Sequence, residues 1–145
     1  MRILIAEDEK DLNHILVQKL TQDGYSVDNC YDGQEAMDIL TYTKYDAVIL
    51  DIMMPKMDGL QLCSLVKQDL RTGHIPVIII TAKSMVMHIK EGFQSGADDY
   101  IVKPFNMEIL ISRICNLLSS RERLKELYGK KFSLESLGIE TTSAD

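Results

Sequence analysis

Ala47-Val48-Ile49-Leu50-Asp51 is an aliphatic run that ends abruptly on a carboxylate. It is too short for a buried helix and shows no polar alternation, so it reads as a strand covered on both faces, as in parallel sheets. The same pattern recurs at Arg2 to Ala6, followed by Glu7-Asp8, and at Val77 to Ile80, followed by Thr81. Tyr25 to Cys30 and Tyr100 to Val102 read as weaker strands, the second followed by Lys103. Helical spacing fills the intervals: Leu12, Ile15, Leu16 and Leu20; Ala36, Met37 and Leu40; Leu62, Leu65 and Val66; Ile89 and Phe93. Gly24, Gly33, Gly59, Gly73 and Gly96 mark boundaries, where a positive φ is often required. Pro76 opens the fourth strand, where its missing N–H is tolerated.

Strands alternating with helices imply an α/β fold: a (βα)₅ doubly wound parallel sheet with right-handed crossovers. The flavodoxin-like strand order 2-1-3-4-5 is the expected topology. The 145 residues fit one domain with a short appendage. With 46% hydrophobic and 26% charged residues, the composition excludes disorder for most of the chain. No apolar run is long enough to span a membrane. The first strand meets Glu7-Asp8-Glu9 too soon for a signal peptide. Cys30, Cys63 and Cys115 are odd in number and far apart, which argues against disulfides or a zinc site and fits a cytoplasmic setting. The net charge is -6, and residues 1–120 carry all of it, with 11 Lys/Arg against 17 Asp/Glu. Such an acidic unit is a poor direct ligand for nucleic acid.

In doubly wound sheets, ligands bind at the carboxyl ends of the strands, beside the switch in strand order. Glu7, Asp8, Asp51, Thr81 and Lys103 all follow strands at that edge and are expected to converge on one shallow cleft. Carboxylates this close repel unless a cation joins them, and a hard divalent ion such as Mg²⁺ answers that need. One carboxylate could then attack phosphorus, with a hydroxyl and an ammonium balancing the phosphoryl charge. Asp51, central in the cleft, is the expected nucleophile. Neither GxxxxGK[ST] nor GxGxxG follows the first strand, which weakens a nucleotide-binding reading. A flavin binder would need a hydroxyl- and glycine-rich loop where this chain has an acidic pair. A phosphohydrolase using an aspartyl nucleophile would need a second acid two residues after a first-strand nucleophile.

The chain resembles the receiver domain of bacterial response regulators, the phospho-acceptor half of two-component signalling. The likeness rests on Glu7-Asp8, on Asp51 before Ile52-Met53-Met54-Pro55 and Asp58-Gly59, on Thr81-Ala82, and on Gly96-Ala97-Asp98-Asp99-Tyr100 leading to Lys103-Pro104-Phe105. It covers residues 1 to 120. The resemblance implies that Asp51 is phosphorylated by a histidine kinase. It implies that Asp8, Asp51 and the Met53 backbone carbonyl ligate Mg²⁺, with Glu7 helping through water. Thr81 and Lys103 would contact the phosphoryl group, and Tyr100 would be the switch aromatic that turns inward after phosphorylation. The Lys103–Pro104 peptide would be cis. Met53 and Lys83 fall where the family varies, at positions that tune dephosphorylation. The domain would catalyse only its own phosphorylation and dephosphorylation and is not expected to be an enzyme otherwise. Its signal would leave through the face of the fourth helix, fifth strand and fifth helix.

Residues 121–145 read as a helix extension and connector. Apolar positions from Asn106 to Gly129 predict a helix of about 24 residues, roughly 36 Å long, whose end projects from the domain. Leu110, Ile114, Leu117, Arg121, Leu124 and Tyr128 approximate a heptad seam; fraying after Ser120 is the alternative. Leu124 to Ser136 and Thr141 to Asp145 resemble the connector ahead of AraC-type helix-turn-helix domains, many of them in hybrid sensor kinases. DNA would then be met only through an output domain outside this chain. Homodimerisation on activation is expected. Asp99 and Arg113 fall where relatives form an intermolecular ion pair, whereas Ile89 and Ile109 stand where another pair would be. His14, His74 and His88 read as surface or boundary residues, and the eight methionines as gap-fillers.

Overall fold

The computed structural model describes residues 1–136, with side chains through residue 127. Five strands, β1 (Arg2–Ala6), β2 (Ser26–Cys30), β3 (Ala47–Asp51), β4 (Val77–Thr81) and β5 (Asp99–Val102), form one sheet in the order β2-β1-β3-β4-β5. All neighbours are parallel. The helices are α1 (Lys10–Gln22), α2 (Gly33–Tyr42), α3 (Gly59–Gln68), α4 (Val86–Gln94) and α5 (Met107–Ser136). The expected class and strand order are those of the structure.

Alternate strand residues feed two cores. Leu4, Val48, Leu50, Val77, Ile79 and Tyr100 face α2 and α3, meeting Ala36, Leu40, Leu62 and Val66. Ile3, Ile5, Ile49, Ile78, Ile80 and Ile101 face α1 and α5, meeting Leu16, Leu20, Leu110, Ile114 and Leu118. β3 and β4 are buried along their whole length, which is why they lack polar alternation. Each fully covered Ile or Leu contributes about 1.5–3 kcal/mol.

Register places the site. β1 pairs Ala6 with Leu50, so Glu7 emerges beside Asp51. β4 pairs Thr81 with Val102, so Lys103 emerges just past Thr81.

Several helix faces differ from the sequence reading. Ile15 is 45% exposed and Leu65 is 37% exposed, while Asn13 is wholly buried. On α4 the buried residue is Gly92, and Phe93 is half exposed. Among the boundary glycines only Gly24 and Gly96 have positive φ. Gly33 and Gly59 serve another purpose: an added Cβ would lie 2.1 Å from the Met57 carbonyl oxygen and 2.1 Å from the Asp51 carbonyl oxygen, respectively.

α5 runs for 30 residues, about 45 Å, straight through Gly129. It neither frays after Ser120 nor stops at Gly129; an interior glycine costs only about 1 kcal/mol relative to alanine. The heptad seam does not survive as a unit, because Leu110 and Ile114 are buried in the domain's own core. Leu124 and Leu127 are exposed. The Tyr128 side chain and the connector residues 137–145 lie outside the described part.

Candidate phospho-acceptor cleft

Asp51 is the last residue of β3, and only 5% of it is exposed. Its Oδ2 accepts a hydrogen bond from Lys103 Nζ at 2.9 Å, and its Oδ1 accepts one from the Met53 N–H at 3.2 Å. Lys103 Nζ also donates to Glu7 Oε1 at 2.5 Å and lies 3.8 Å from Glu9 Oε2. One ammonium therefore bridges the two buried carboxylates on neighbouring strands. The Lys103–Pro104 peptide is cis, as the resemblance implies.

Burial pushes the Glu7 carboxyl up to about 7; the Lys103 bond pulls it down and the Asp51 charge raises it again. Burial opposes the Lys103 charge, yet its bonds to Asp51 and Glu7 prevail and raise it above an ordinary lysine. Asp8 is exposed at the mouth of the cleft. Carboxylate oxygens of Glu7, Asp8 and Asp51 lie within 4.8 Å of one another. An all-oxygen, multiply anionic donor set of this kind fits a hard divalent cation such as Mg²⁺. The Met53 side chain is exposed, and its backbone follows Asp51 directly into the β3–α3 loop.

Thr81 ends β4 and is wholly buried, its Oγ1 accepting the Lys83 N–H at 3.4 Å. Tyr100 is turned inward, the position that the resemblance assigns to the phosphorylated state. Its hydroxyl donates to the Lys83 carbonyl at 2.8 Å, and its ring lies over Gly92 of α4. Burial raises its phenol, helped by the negative charges of Asp51 and Glu91. The expected residues are thus assembled at one edge, with Tyr100 tied through the Lys83 backbone to the loop that follows Thr81.

Two supports were not anticipated. Gly59, at the start of α3, lets that helix approach the Asp51 backbone, and its N–H donates to the Ile52 carbonyl at 2.9 Å. Asn13 on α1 bonds the Glu7 carbonyl. The Asp58-Gly59 pairing was a readable signal for the first; a polar residue within an apolar helical pattern was the signal for the second. Two grooves, of about 410 and 490 Å³, lie at the opposite end of the sheet, around Tyr45 and His74.

The family described as "Response regulator receiver domain" matches residues 3–115. "Response regulator ArlR" of Staphylococcus haemolyticus (strain JCSC1435) is 42% identical over 139 residues, covering 94% of this chain and 62% of that protein. "Response regulator ArlR" of Staphylococcus aureus (strain Mu50 / ATCC 700699) is 46% identical over 117 residues, covering 81% of this chain and 52% of that protein. The chain therefore spans between half and two thirds of the curated relatives it matches. Among solved structures, the receiver domain of Francisella response regulator 1452 is 32% identical with a TM-score of 0.77, covering 82% of this chain and 97% of that one. The signal receiver domain of a signal transduction histidine kinase from Syntrophus aciditrophicus is 36% identical with a TM-score of 0.78, covering 82% and 90%. Sheet order, cleft and likeness agree, and the chain belongs to the response regulator receiver domain family of two-component signalling.

Proposed function

We propose that Asp51 accepts a phosphoryl group from the phosphohistidine of a histidine kinase. The observation that carries this reading is the Lys103 bridge: the nearly buried Asp51 carboxylate bonds Lys103 and lies within 4.8 Å of the oxygens of Glu7 and Asp8. An Asp51 carboxylate oxygen attacks phosphorus, the P–N bond breaks, and the imidazole departs with the electron pair. Lys103 and the Thr81 hydroxyl stabilise charge on the phosphoryl oxygens. Asp8, Asp51 and the Met53 carbonyl would hold Mg²⁺, with Glu7 behind them through water, and the bound ion would neutralise the acidic cluster. Hydrolysis of the aspartyl phosphate in the same cleft would reset the domain, so the only reaction it catalyses is on itself. Its place is the cytoplasm, where a kinase would meet it; no helix among the described residues is long and apolar enough to cross a membrane.

Residues 1–120 would form the receiver and 121–145 the link to an output part that binds DNA, of the AraC type that the connector resembles, whether the parent is a hybrid kinase or a separate regulator. The curated relatives are named response regulators and are longer than their matched part, which supports an output domain outside this chain. The α4–β5–α5 face would switch and pair two copies. Ile109 is 53% exposed there. Arg113 and Asp99 close an ion pair within the chain at 3.3 Å. The reading is tested with beryllofluoride, which mimics the phosphoryl group, in the presence of Mg²⁺. Amide NMR shifts should move at Thr81, Tyr100 and Lys103 and stay still in Asp51→Asn. Equal shifts in that variant would reject Asp51.

A further inference from the structure

Asn13 is wholly buried on the first helix, one turn after the acidic pair, although nothing in the phosphotransfer chemistry calls for an amide there. Its side chain is committed at both ends. One Nδ2 hydrogen goes to the Glu7 carbonyl at 2.9 Å and the other to the Cys30 carbonyl at 2.9 Å. These two carbonyls can only accept, which fixes the flip of the amide and leaves its Oδ1 to accept from Asn29 Nδ2 at 2.5 Å. The Cys30 carbonyl also accepts the Glu7 N–H at 3.2 Å. The Glu7 residue is thereby pinned through its N–H by β2 and through its carbonyl by Asn13.

That carbonyl belongs to the peptide plane that starts Asp8. The Glu7 carboxylate is held independently by Lys103, whereas no hydrogen bond or ion pair is made by the exposed Asp8 carboxylate among the described residues. The direction of Asp8 therefore depends on its backbone: Asn13 holds the peptide that precedes it, and the Glu9 N–H of the peptide that follows donates to Glu7 Oε2 at 3.3 Å. We infer that Asn13 is a positioning residue for cation binding: its amide fixes the Glu7–Asp8 peptide plane and so aims the Asp8 carboxylate at Asp51. The inference rests on the reading of Glu7, Asp8 and Asp51 as the cation site. Leucine or alanine at position 13 would leave the Glu7 and Cys30 carbonyls without this donor. A partner of this kind behind a metal ligand typically changes affinity 10–100-fold.

The test separates positioning from simple helix docking. Mg²⁺ is titrated into the full chain and followed by amide NMR, alongside thermal melting, for wild type, Asn13→Ala, Asn29→Ala, Leu16→Ala and Asp8→Asn. Leu16 is buried on the same helix and touches the core on the α1–α5 face rather than the acidic turn. Asn13→Ala should weaken Mg²⁺ about 10-fold and shift the Asp8 amide even in EDTA. Asn29→Ala, which frees the amide to turn, should act in the same direction and less strongly. Leu16→Ala should melt earlier yet bind Mg²⁺ like wild type. If Asn13→Ala lowers the melting temperature but keeps wild-type affinity, or loses no more than Leu16→Ala, the inference is overturned. Should Asn13→Ala not fold, Asn29→Ala decides: wild-type affinity and an unmoved Asp8 amide reject it. Unchanged affinity in Asp8→Asn would instead overturn the cation-site reading beneath it.

Discussion

At the scale of single residues, the cleft is a problem of charge. Glu7 and Asp51 are buried carboxylates sharing one ammonium, and the raised Glu7 acid is the measurable consequence. Because its folded value of about 7 exceeds the ordinary 4.5, the native state binds more protons than the unfolded chain between those values. Its stabilising effect is full below 4.5 and is lost as pH rises through 7. Asp28 and Asp32 are shifted below 3.8 by their hydrogen bonds and act at lower pH, outside this window. In metal-free buffer, wild type should therefore lose melting temperature between pH 5 and pH 8 relative to Glu7→Gln; parallel curves would contradict the assignment. Asp8 differs because it is exposed and its repulsion is screened. Asp8→Asn should weaken Mg²⁺ strongly while raising the metal-free stability by less than about 1 kcal/mol. Calorimetric titration and melting check both, and a fall in metal-free stability would show that the Asp8 carboxylate is net favourable.

At the scale of elements, the strands were legible because burial on both faces leaves an unbroken aliphatic run, as at Val77 to Ile80. Glu7, Asp51, Thr81 and Lys103 were legible because each is the first polar group after a strand, and Asp8 because it directly follows Glu7. The helix faces were less so. Periodicity grades residues by hydrophobicity, so it chose Ile15 over Asn13 for the buried side, although Asn13 is the one with buried carbonyl partners. Phe93 and Ile89 drew attention on α4, while the close contact is made by the residue without a side chain. A Cβ on Gly92 would sit 2.5 Å from Tyr100 Cδ2, so this glycine is the seat of the inward ring. Gly92→Ala should push the ring outward and break the hydroxyl bond to the Lys83 carbonyl. Fluorotyrosine NMR at position 100 checks this: a solvent-exposed ring is expected, and an unchanged buried signal would show that the helix yields instead. Gly59 is stricter, because the clash is with backbone. Gly59→Ala should cost about 1–3 kcal/mol in urea unfolding.

At the scale of the whole molecule, one long helix links the domain core to the surface beyond it. α5 packs Leu110, Ile114 and Leu118 into the core and carries Leu124 and Leu127 out into solvent. The full length of α5 was hidden in the sequence by Gly129, whose cost a long helix absorbs. If two activated copies meet through α4, β5 and α5, Ile89 and Ile109 bring apolar area where an exposed ion pair would be screened by salt. Sedimentation of the beryllofluoride form should then show a dimer that persists at high salt and is lost in Ile109→Glu; a monomer under all conditions would reject this face. All of this presupposes the chemistry at Asp51. Intact-mass measurement after incubation with acetyl phosphate and Mg²⁺ tests that directly. One added phosphoryl group is expected on the wild-type chain and none on Asp51→Asn; equal labelling of the two would show that Asp51 is not the acceptor.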